Sequence, residues 1–261
     1  DQGFWPDGLY TAPTEKAMQY DLDMTKKLGF NMVRKHVKVE PRTWYAYCDR
    51  IGLMVWQDMP SGDGFIGGKD PDLNRTKESA EIFERELAAM IDTHYNSPSI
   101  VTWVLFNEGW GQYDTERLAK WVKERDPSRL LDAVTGWTDR GVGDMHDWHK
   151  YPGPASPEPE PNRAAVLGEF GGLGLPTPGH MWHEKAWGYQ SFKTRAELTD
   201  RFEGILAKLA ELIKEPGCSA AVYTQTTDVE TEANGLMTYD RKVLKMDAKR
   251  VKAAVETLKK G

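Results

Sequence analysis

Two glutamates in this chain stand at the ends of apolar runs of β type. The run IVTWVLFN, residues 100–107, ends in Asn107 and delivers Glu108; the run AAVLGEFGG, residues 164–172, delivers Glu169. An apolar strand that ends in a carboxylate puts an acid at the rim of a buried sheet. Two such strands, distant in sequence, can put two acids across one pocket. Paired carboxylates in that position are the apparatus of glycosidic-bond hydrolysis, where one carboxyl is held protonated and the other ionised. Retention of configuration needs the two groups about 5 to 5.5 Å apart. A single strand-end Glu is as well explained by an ion pair or a helix N-cap. Two at matching positions, one preceded by Asn, favour the active-site reading.

A cation near one of the acids would keep it ionised and ready to act as nucleophile. Arg34, in the cluster Arg34-Lys35-His36 at the end of another β-type run, is the candidate, and it ranks ahead of its two neighbours for facing a pocket. The competing reading of that cluster is a solvated charge run.

The elements that would position these groups alternate. Strand-like runs cover residues 31–37, 53–58, 100–107, 130–135, 144–149, 165–169 and 220–225. Helical patterns lie between them. Phe83, Leu87, Met90, Ile91 and His94 share one helix face, as do Leu198, Phe202, Ile205, Leu209 and Ile213. Val251, Ala254, Val255 and Leu258 give the last helix its buried stripe. Gly29 is placed to stop the first helix, expected over residues 15–28, and Asp114 to cap the one that follows Glu108. Parallel strands joined by crossover helices are the expected outcome, in a (β/α)8 TIM-type barrel. Seven strands are one short, and a loop and helix precede the first of them. The chain is therefore expected to be a single catalytic-barrel domain over residues 1–261, a fragment of a longer multidomain protein that lacks its first strand. Two crossovers look degenerate. About ten residues separate the strands near Leu130 and Asp144, too few for a helix. The Pro-rich segment 152–161 reads as a rim loop of the active site.

Two stretches of the sequence carry a family resemblance. Asn31-Met32-Val33-Arg34, Trp44-Tyr45, Cys48-Asp49-Arg50 and Gly52-Leu53 resemble one signature of glycoside hydrolase family 2, which includes β-galactosidases, β-glucuronidases and β-mannosidases. Asn96-Ser97-Pro98-Ser99-Ile100-Val101-Thr102-Trp103, followed by Asn107-Glu108, resemble its second and more specific signature. The resemblance covers essentially the whole chain. It implies a retaining hydrolase of terminal β-linked sugars, with Glu108 as general acid/base and Glu169 as nucleophile. It also implies that Asn107 binds the sugar 2-hydroxyl, that Arg34 supports the nucleophile, and that Tyr151 stands beside it. Glycoside or oligosaccharide substrates and upstream β-sandwich domains follow from the same resemblance; no cofactor does. The departures bear on sugar specificity: Val37 stands where the first signature has His, Gln57-Asp58 where Asp-Glu is common, and Tyr223 near a family Trp at the pocket floor.

Further candidates for sugar contact are His149 and Trp110. Trp137, Trp148, Trp182 and Trp187 also lie in loops or near strand ends, where a ring could stack on sugar. His146 with His149, and His180 with His183, form two His-x-x-His pairs whose spacing raises a metal site, but neither lies on a clear helix and no metal is expected. Cys48 and Cys218 show no metal or redox spacing, and Cys48 reads as a small buried hydrophobe. The segment 228–240 is either a pocket wall or ordinary surface. The formal net charge of −6 argues against a nucleic-acid partner, and no apolar run approaches the roughly 20 residues of a membrane span. Compartment is not legible. Two rivals remain: a catalytically inactive carbohydrate-binding barrel, and a metal-dependent barrel hydrolase using the His pairs.

Overall fold

The computed structural model describes residues 1–260. In chain order the elements are α1 (Glu15–Lys27), β1 (Met32–Lys35), α2 (Arg42–Ile51), β2 (Met54–Asp58), α3 (Lys77–His94), β3 (Ile100–Asn107), α4 (Thr115–Arg125), β4 (Leu130–Thr135), β5 (Met145–Lys150), β6 (Ala164–Gly171), the short β7 (Leu173–Gly174) and β8 (Gln190–Ser191), α5 (Arg195–Lys214), β9 (Ala220–Thr224) and α6 (Ala248–Thr257). All seven expected strands are present, with ends within two residues of the sequence reading.

Every ladder is parallel. β1 through β4 form one run in sequence order, and β5, β6 and β9 form a second. β4 and β5 lie side by side: Asp144, just before β5, is tied to the start of β4 by one backbone and one side-chain hydrogen bond, its N–H donating to Leu131 O at 2.8 Å and its Oδ2 accepting from Leu131 N at 2.7 Å. The short return over residues 136–144 therefore needs no helix. The Pro-rich segment behaves likewise. Since β5 and β6 are parallel, it must run from the mouth back to the bottom of the barrel. Only Tyr151, at its entrance, lines the pocket described below, so it is a helix-less crossover rather than a rim loop.

Strand alternation sorts side chains into an inner and an outer set. Inside the barrel, Trp56, Val104, Met145 and Val166 form an apolar plug. Outside it, Val55, Trp103, Leu105 and Leu131 pack beneath α1 to α4, while Leu167, Phe170 and Leu173 pack beneath α5 and α6. α5 starts at a capping box, Thr194 with Glu197, and buries Leu198, Phe202, Ile205, Leu206 and Leu209 on one face. Burial of each such side chain contributes about 1.5–3 kcal/mol. Cys48 and Cys218 are both buried free thiols, in separate clusters. No helix among the described residues is long and apolar enough to cross a membrane.

The barrel is open between β9 and β1, which do not pair. At the mouth, Asp1 occupies the seam: its carbonyl accepts from His36 N at 3.0 Å, and Gln2 Nε2 donates to Gln225 Oε1 at 2.7 Å. Beneath them lies a cavity of about 760 Å³ lined by Met32, Trp56, Val166, Leu206, Ala221 and Val255, among others. The strand that the seven-strand count leaves wanting has its room here.

The expected cap of α4 is corrected. Asp114 holds the N-cap position, but its φ of 43° turns its side chain away from the first helical N–H, and it pairs with Arg117 instead. Asp72, from the loop before α3, does the capping: its Oδ2 accepts from Thr115 N at 2.8 Å and Thr115 Oγ1 at 2.6 Å, and its Oδ1 from Arg140 Nε at 2.9 Å. Asp72→Ala should therefore destabilise the protein by about 1–3 kcal/mol, and Asp114→Ala by no more than about 0.5 kcal/mol. Urea unfolding of both variants checks this; equal midpoints would assign the cap wrongly.

Candidate active site

Six of the residues nominated by sequence come from four strand ends at the mouth of the barrel. Arg34 ends β1, Asn107 and Glu108 end β3, His149 and Tyr151 end β5, and Glu169 lies in the last turn of β6. The carboxylates converge. An oxygen of Glu108, an oxygen of Glu169 and a ring nitrogen of His149 all lie within 4.8 Å of one another.

Glu108 reaches its position through backbone strain. Its φ of 54° is left-handed, a conformation that costs a non-glycine residue of order 1–3 kcal/mol. Its N–H is fixed to Thr135 O at 3.0 Å. Gly109 follows with φ 81°, and a Cβ there would lie 2.2 Å from Ile66 O, so the turn closes only with glycine. His149 Nδ1 is in hydrogen-bond contact with Glu108 Oε1 at 2.8 Å and stands 3.5 Å from Glu169 Oε2.

Arg34 is the hub. It is 2% exposed. Its Nε and Nη2 clamp Asp58 at 2.9 and 2.8 Å, Nη2 also donates to Asn107 Oδ1 at 2.8 Å, and Nη1 donates to Glu169 Oε1 at 3.2 Å and Gly168 O at 3.3 Å. Asn107 Oδ1 takes a second hydrogen bond from Thr135 Oγ1 at 2.8 Å. With both its partners donors, that atom must be the oxygen, and the Nδ2 amine is left to donate elsewhere. Tyr151 donates its hydroxyl to Glu169 Oε2 and is stacked on Tyr189 at 3.8 Å.

Burial alone would raise the Glu169 pKa. The neighbouring His149, Arg34 and His36, with the Tyr151 hydroxyl, outweigh it and bring the carboxyl down to about 2. Tyr151 moves the other way: burial, then Glu169, push its hydroxyl far above the usual phenol range, so it remains a donor. One layer below, Asp132 and Asp147 face each other inside the barrel. Burial and, for Asp147, the adjacent Asp132 push both carboxyls up, Asp147 most strongly. Asp147 Oδ1 accepts from Gly168 N at 2.7 Å and so steadies the residue before Glu169.

The pocket over these groups is about 160 Å³ and is lined by Arg34, Asn107, Glu108, Tyr151 and Glu169 from the expected set. Two expectations are corrected, for His149 and Trp110, and that for Tyr223 is narrowed. The His149 side chain is fully buried; it supports the carboxylates from behind rather than opening on the pocket. Tyr223 borders the pocket, but strand alternation turns its ring outward against Phe170 and Phe202, at 5.6 and 5.0 Å, while Thr224 faces inward and meets the Tyr151 hydroxyl at 2.9 Å. Trp110 lies outside this pocket, beside a neighbouring open depression. Of the basic cluster, His36 does line the pocket, whereas Lys35 points away, buried against Asp1, Glu40 and the Trp44 ring.

Sequence reading missed Gln2, Tyr189, Gln225 and Glu232 in the pocket wall, and Asp58 and Thr135 beneath it. The period-2 rule, extended from Arg34, could have found His36. The loop residues carry no local signal. The segment 228–240 is pocket wall: Glu232 faces the pocket, and buried Lys245 anchors the loop through Asp228 Oδ1 and Ala233 O, the latter at 2.9 Å.

The His-x-x-His pairs do not converge. His146 meets Glu160 at 2.9 Å outside the barrel, and His180 meets Asp240 at 2.7 Å. Asp139, His146 and Glu160 do cluster, but Arg163 already donates to all four of their carboxylate oxygens, at 2.7–2.9 Å. Of the other loop tryptophans, Trp182 packs on Phe4 and Tyr239, and Trp187 on Tyr189.

A parallel β/α barrel with facing carboxylates at the ends of two strands defines a fold and site of the barrel-glycosidase class. The comparisons narrow this. A family model described as the TIM barrel domain of glycosyl hydrolases family 2 matches residues 11–151, more than half of the chain, and the chain belongs to that family. A β-galactosidase of Leuconostoc mesenteroides is 30% identical over 131 residues, covering 50% of this chain and 12% of that protein. A β-galactosidase of Vibrio cholerae is 27% identical over 175 residues, covering 60% and 17%. Among solved structures, a β-galacturonidase from Eisenbergiella tayi bound to galacturonate superposes with a TM-score of 0.69 at 18% identity, over 98% of this chain and 50% of that one. A β-glucuronidase of Bacteroides uniformis gives 0.66 at 18%, over 92% and 32%. The chain thus spans at most about half the length of these solved relatives and about a sixth or less of the curated ones.

Loss of the Tyr151 hydrogen bond should be visible without any assay. Tyr151→Phe removes a donor from the charged form of Glu169, so its pKa should rise from about 2 toward the ordinary carboxylate range, and its charge should be lost at a higher pH than in the parent. Carboxyl ¹³C titration of Glu169 in both proteins checks the sign; an unchanged midpoint would remove Tyr151 from the set that holds the charge.

Proposed function

We propose that this chain is the catalytic barrel of a retaining β-glycoside hydrolase, β-galactosidase-like, that removes terminal β-linked sugars by double displacement. The observation that carries the reading is the approach of the Glu108 and Glu169 carboxylates to within 4.8 Å. So close an approach of one oxygen from each group favours direct attack by one carboxylate, for which about 5–5.5 Å between the groups is typical, over an inverting pair at about 6.5–9.5 Å.

Glu169, ionised and held by Arg34 and Tyr151, attacks the anomeric carbon. Glu108 gives its proton to the leaving oxygen as the glycosidic C–O bond breaks. Glu108 then takes a proton from a water that attacks the same carbon, and the bond to Glu169 is broken. The free Nδ2 of Asn107 is placed to donate to a sugar hydroxyl beside that carbon. The pocket of about 160 Å³ suits a single pyranose ring, which supports action at a chain end. The β-galactosidase relatives support a β-linked substrate.

A second reading has one observation behind it: the open seam between β9 and β1 exposes two strand edges, and a barrel so built could bind carbohydrate without hydrolysing it. One set of assays separates the two. On a panel of aryl β-glycosides the protein should release the β-anomer first, as followed by proton NMR. Glu169→Gln should abolish turnover, and Glu108→Gln should cost on the order of 10²–10⁴-fold on substrates with poor leaving groups. First release of the α-anomer, or full activity of Glu169→Gln, would sink the mechanism.

A further inference from the structure

Tyr151 helps to hold the charge of Glu169, and its own ring must be held in turn. The residue follows the end of β5, and its hydroxyl has two partners, Glu169 Oε2 and, at 2.9 Å, Thr224 Oγ1. Neither contact stops the ring from leaning. We propose that Tyr189, in the loop over the mouth, is a positioning residue whose ring clamps the Tyr151 ring in the plane that aims its hydroxyl at Glu169. The catalytic consequence rests on the glycosidase reading; the clamp itself does not.

The two rings lie 3.8 Å apart and within 5° of parallel. Aromatic pairs more often sit about 4.5–7 Å apart, offset or edge to face. At the closer distance each ring covers a face of the other, and Tyr151 has no space to tilt on that side. A phenol O–H lies in the plane of its ring, so a fixed plane fixes the line along which it donates. The backbone closes another direction. Gly172 has φ 62°, and a Cβ there would come within 2.3 Å of Tyr189 Cδ2 and 3.0 Å of Tyr151 Cδ1. The stack therefore needs glycine at that position.

Tyr189 is itself fixed by bonds that do not involve its side chain. Its N–H donates to Gly172 O at 3.0 Å, at the entry to the β7–β8 pair. Two residues earlier, Trp187 N donates to Thr231 O at 2.9 Å and Trp187 O accepts from Ala233 N at 2.8 Å, which ties the loop to the pocket wall. The Trp187 ring meets Tyr189 at 5.4 Å and 72°. A half-exposed ring that borders a pocket is ordinarily a platform for ligand, but one face of Tyr189 is already given to Tyr151. Its hydroxyl brings no charge to the site: burial, then Glu232, Glu169 and Glu108, push it up to about 12. What Tyr189 supplies beside the nucleophile is a flat, fixed surface.

Two substitutions in the full chain separate ring from hydroxyl. Tyr189→Phe keeps the flat ring; Tyr189→Leu keeps apolar bulk, and so keeps water out, but loses the flat ring. Glu169 is faced by Arg34, His36, Glu108, His149, Tyr151 and Glu232, and of these only the Tyr151 contact should change. Carboxyl ¹³C titration of Glu169 should give a higher midpoint in Tyr189→Leu than in the parent, and the parent's midpoint in Tyr189→Phe. On the aryl β-glycoside that the parent cleaves best, kcat should fall on the order of 10-fold in Tyr189→Leu with KM changed by less than about threefold, and Tyr189→Phe should match the parent. In Tyr151→Phe, which has no hydroxyl to aim, adding Tyr189→Leu should cost less than about twofold. An unchanged midpoint in Tyr189→Leu, a loss in Tyr189→Phe equal to that in Tyr189→Leu, or an undiminished cost in the Tyr151→Phe background each overturn the clamp and leave the glycosidase reading standing. Failure of the parent on every glycoside overturns that reading instead, and the titration alone then decides the clamp.

Discussion

One buried guanidinium organises the mouth of this barrel. Arg34 is almost wholly removed from water and contacts Asp58, Asn107, Gly168 and Glu169, which belong to three other strands. A charge so placed is costly unless it is paired and its N–H groups are filled. Asp58 supplies the pairing through two parallel hydrogen bonds, and burial notwithstanding, Arg34 brings the Asp58 carboxyl down to about 2. The remaining donors are then spent on orientation. One fixes which end of the Asn107 amide faces outward, and another sets the charge state of Glu169. The fork geometry of arginine is what permits this; a lysine would supply a point charge without the directions.

Below Arg34 the interior changes character in steps. At the bottom are Trp56, Val104, Met145 and Val166, an ordinary apolar plug. Above it lie Asp132 and Asp147, whose burial pushes both carboxyls up, Asp147 most strongly. At the rim are the two glutamates with His149 wedged behind them. The gradient matters because Glu169 has only limited contact with water, its side chain being 15% exposed, and its charge must be supported by the protein. Fixed donors in such a site need not reorganise when the charge on a carboxylate changes, which is the meaning of electrostatic preorganisation.

What the sequence made legible follows from what acts locally. The strands were readable because parallel strands buried on both faces are nearly continuous apolar runs. Glu108, Glu169, Asn107 and Arg34 were readable because strand ends in a barrel converge on one mouth. The orientation of the Tyr223 ring was not readable, because proximity in sequence to a strand end does not say which face of the strand a side chain takes. His149 does face inward, and only its depth, closed off by Glu108 and Glu169, escaped the sequence. The cap of α4 failed differently: Asp114 had the right type and position, but its own backbone conformation denied it the bond, and Asp72 took it from 43 residues away in sequence. Glu232 and Tyr189 had no local signal, since long loops fold over the mouth by contacts that only the tertiary structure defines.

The open seam bears on the site through the same geometry. Arg34 belongs to β1, an edge strand, yet three of its partners lie on β2, β3 and β6, so the guanidinium crosses the barrel interior rather than the seam. The paired carboxylates sit on β3 and β6, away from the unpaired edges. At the mouth the seam is bridged by Asp1, which accepts from His36 N and pairs with Lys35, and by Gln2, which donates to Gln225. The pocket wall formed by Gln2 and Gln225 is thus the part of the site that depends on the seam. Loosening there would first disturb the Gln2–Gln225 wall of the pocket and only afterwards the distance between the glutamates. The pocket wall is for that reason the feature most exposed to whatever fills or fails to fill the cavity between β9 and β1, and the spacing of the two carboxylates the feature most insulated from it.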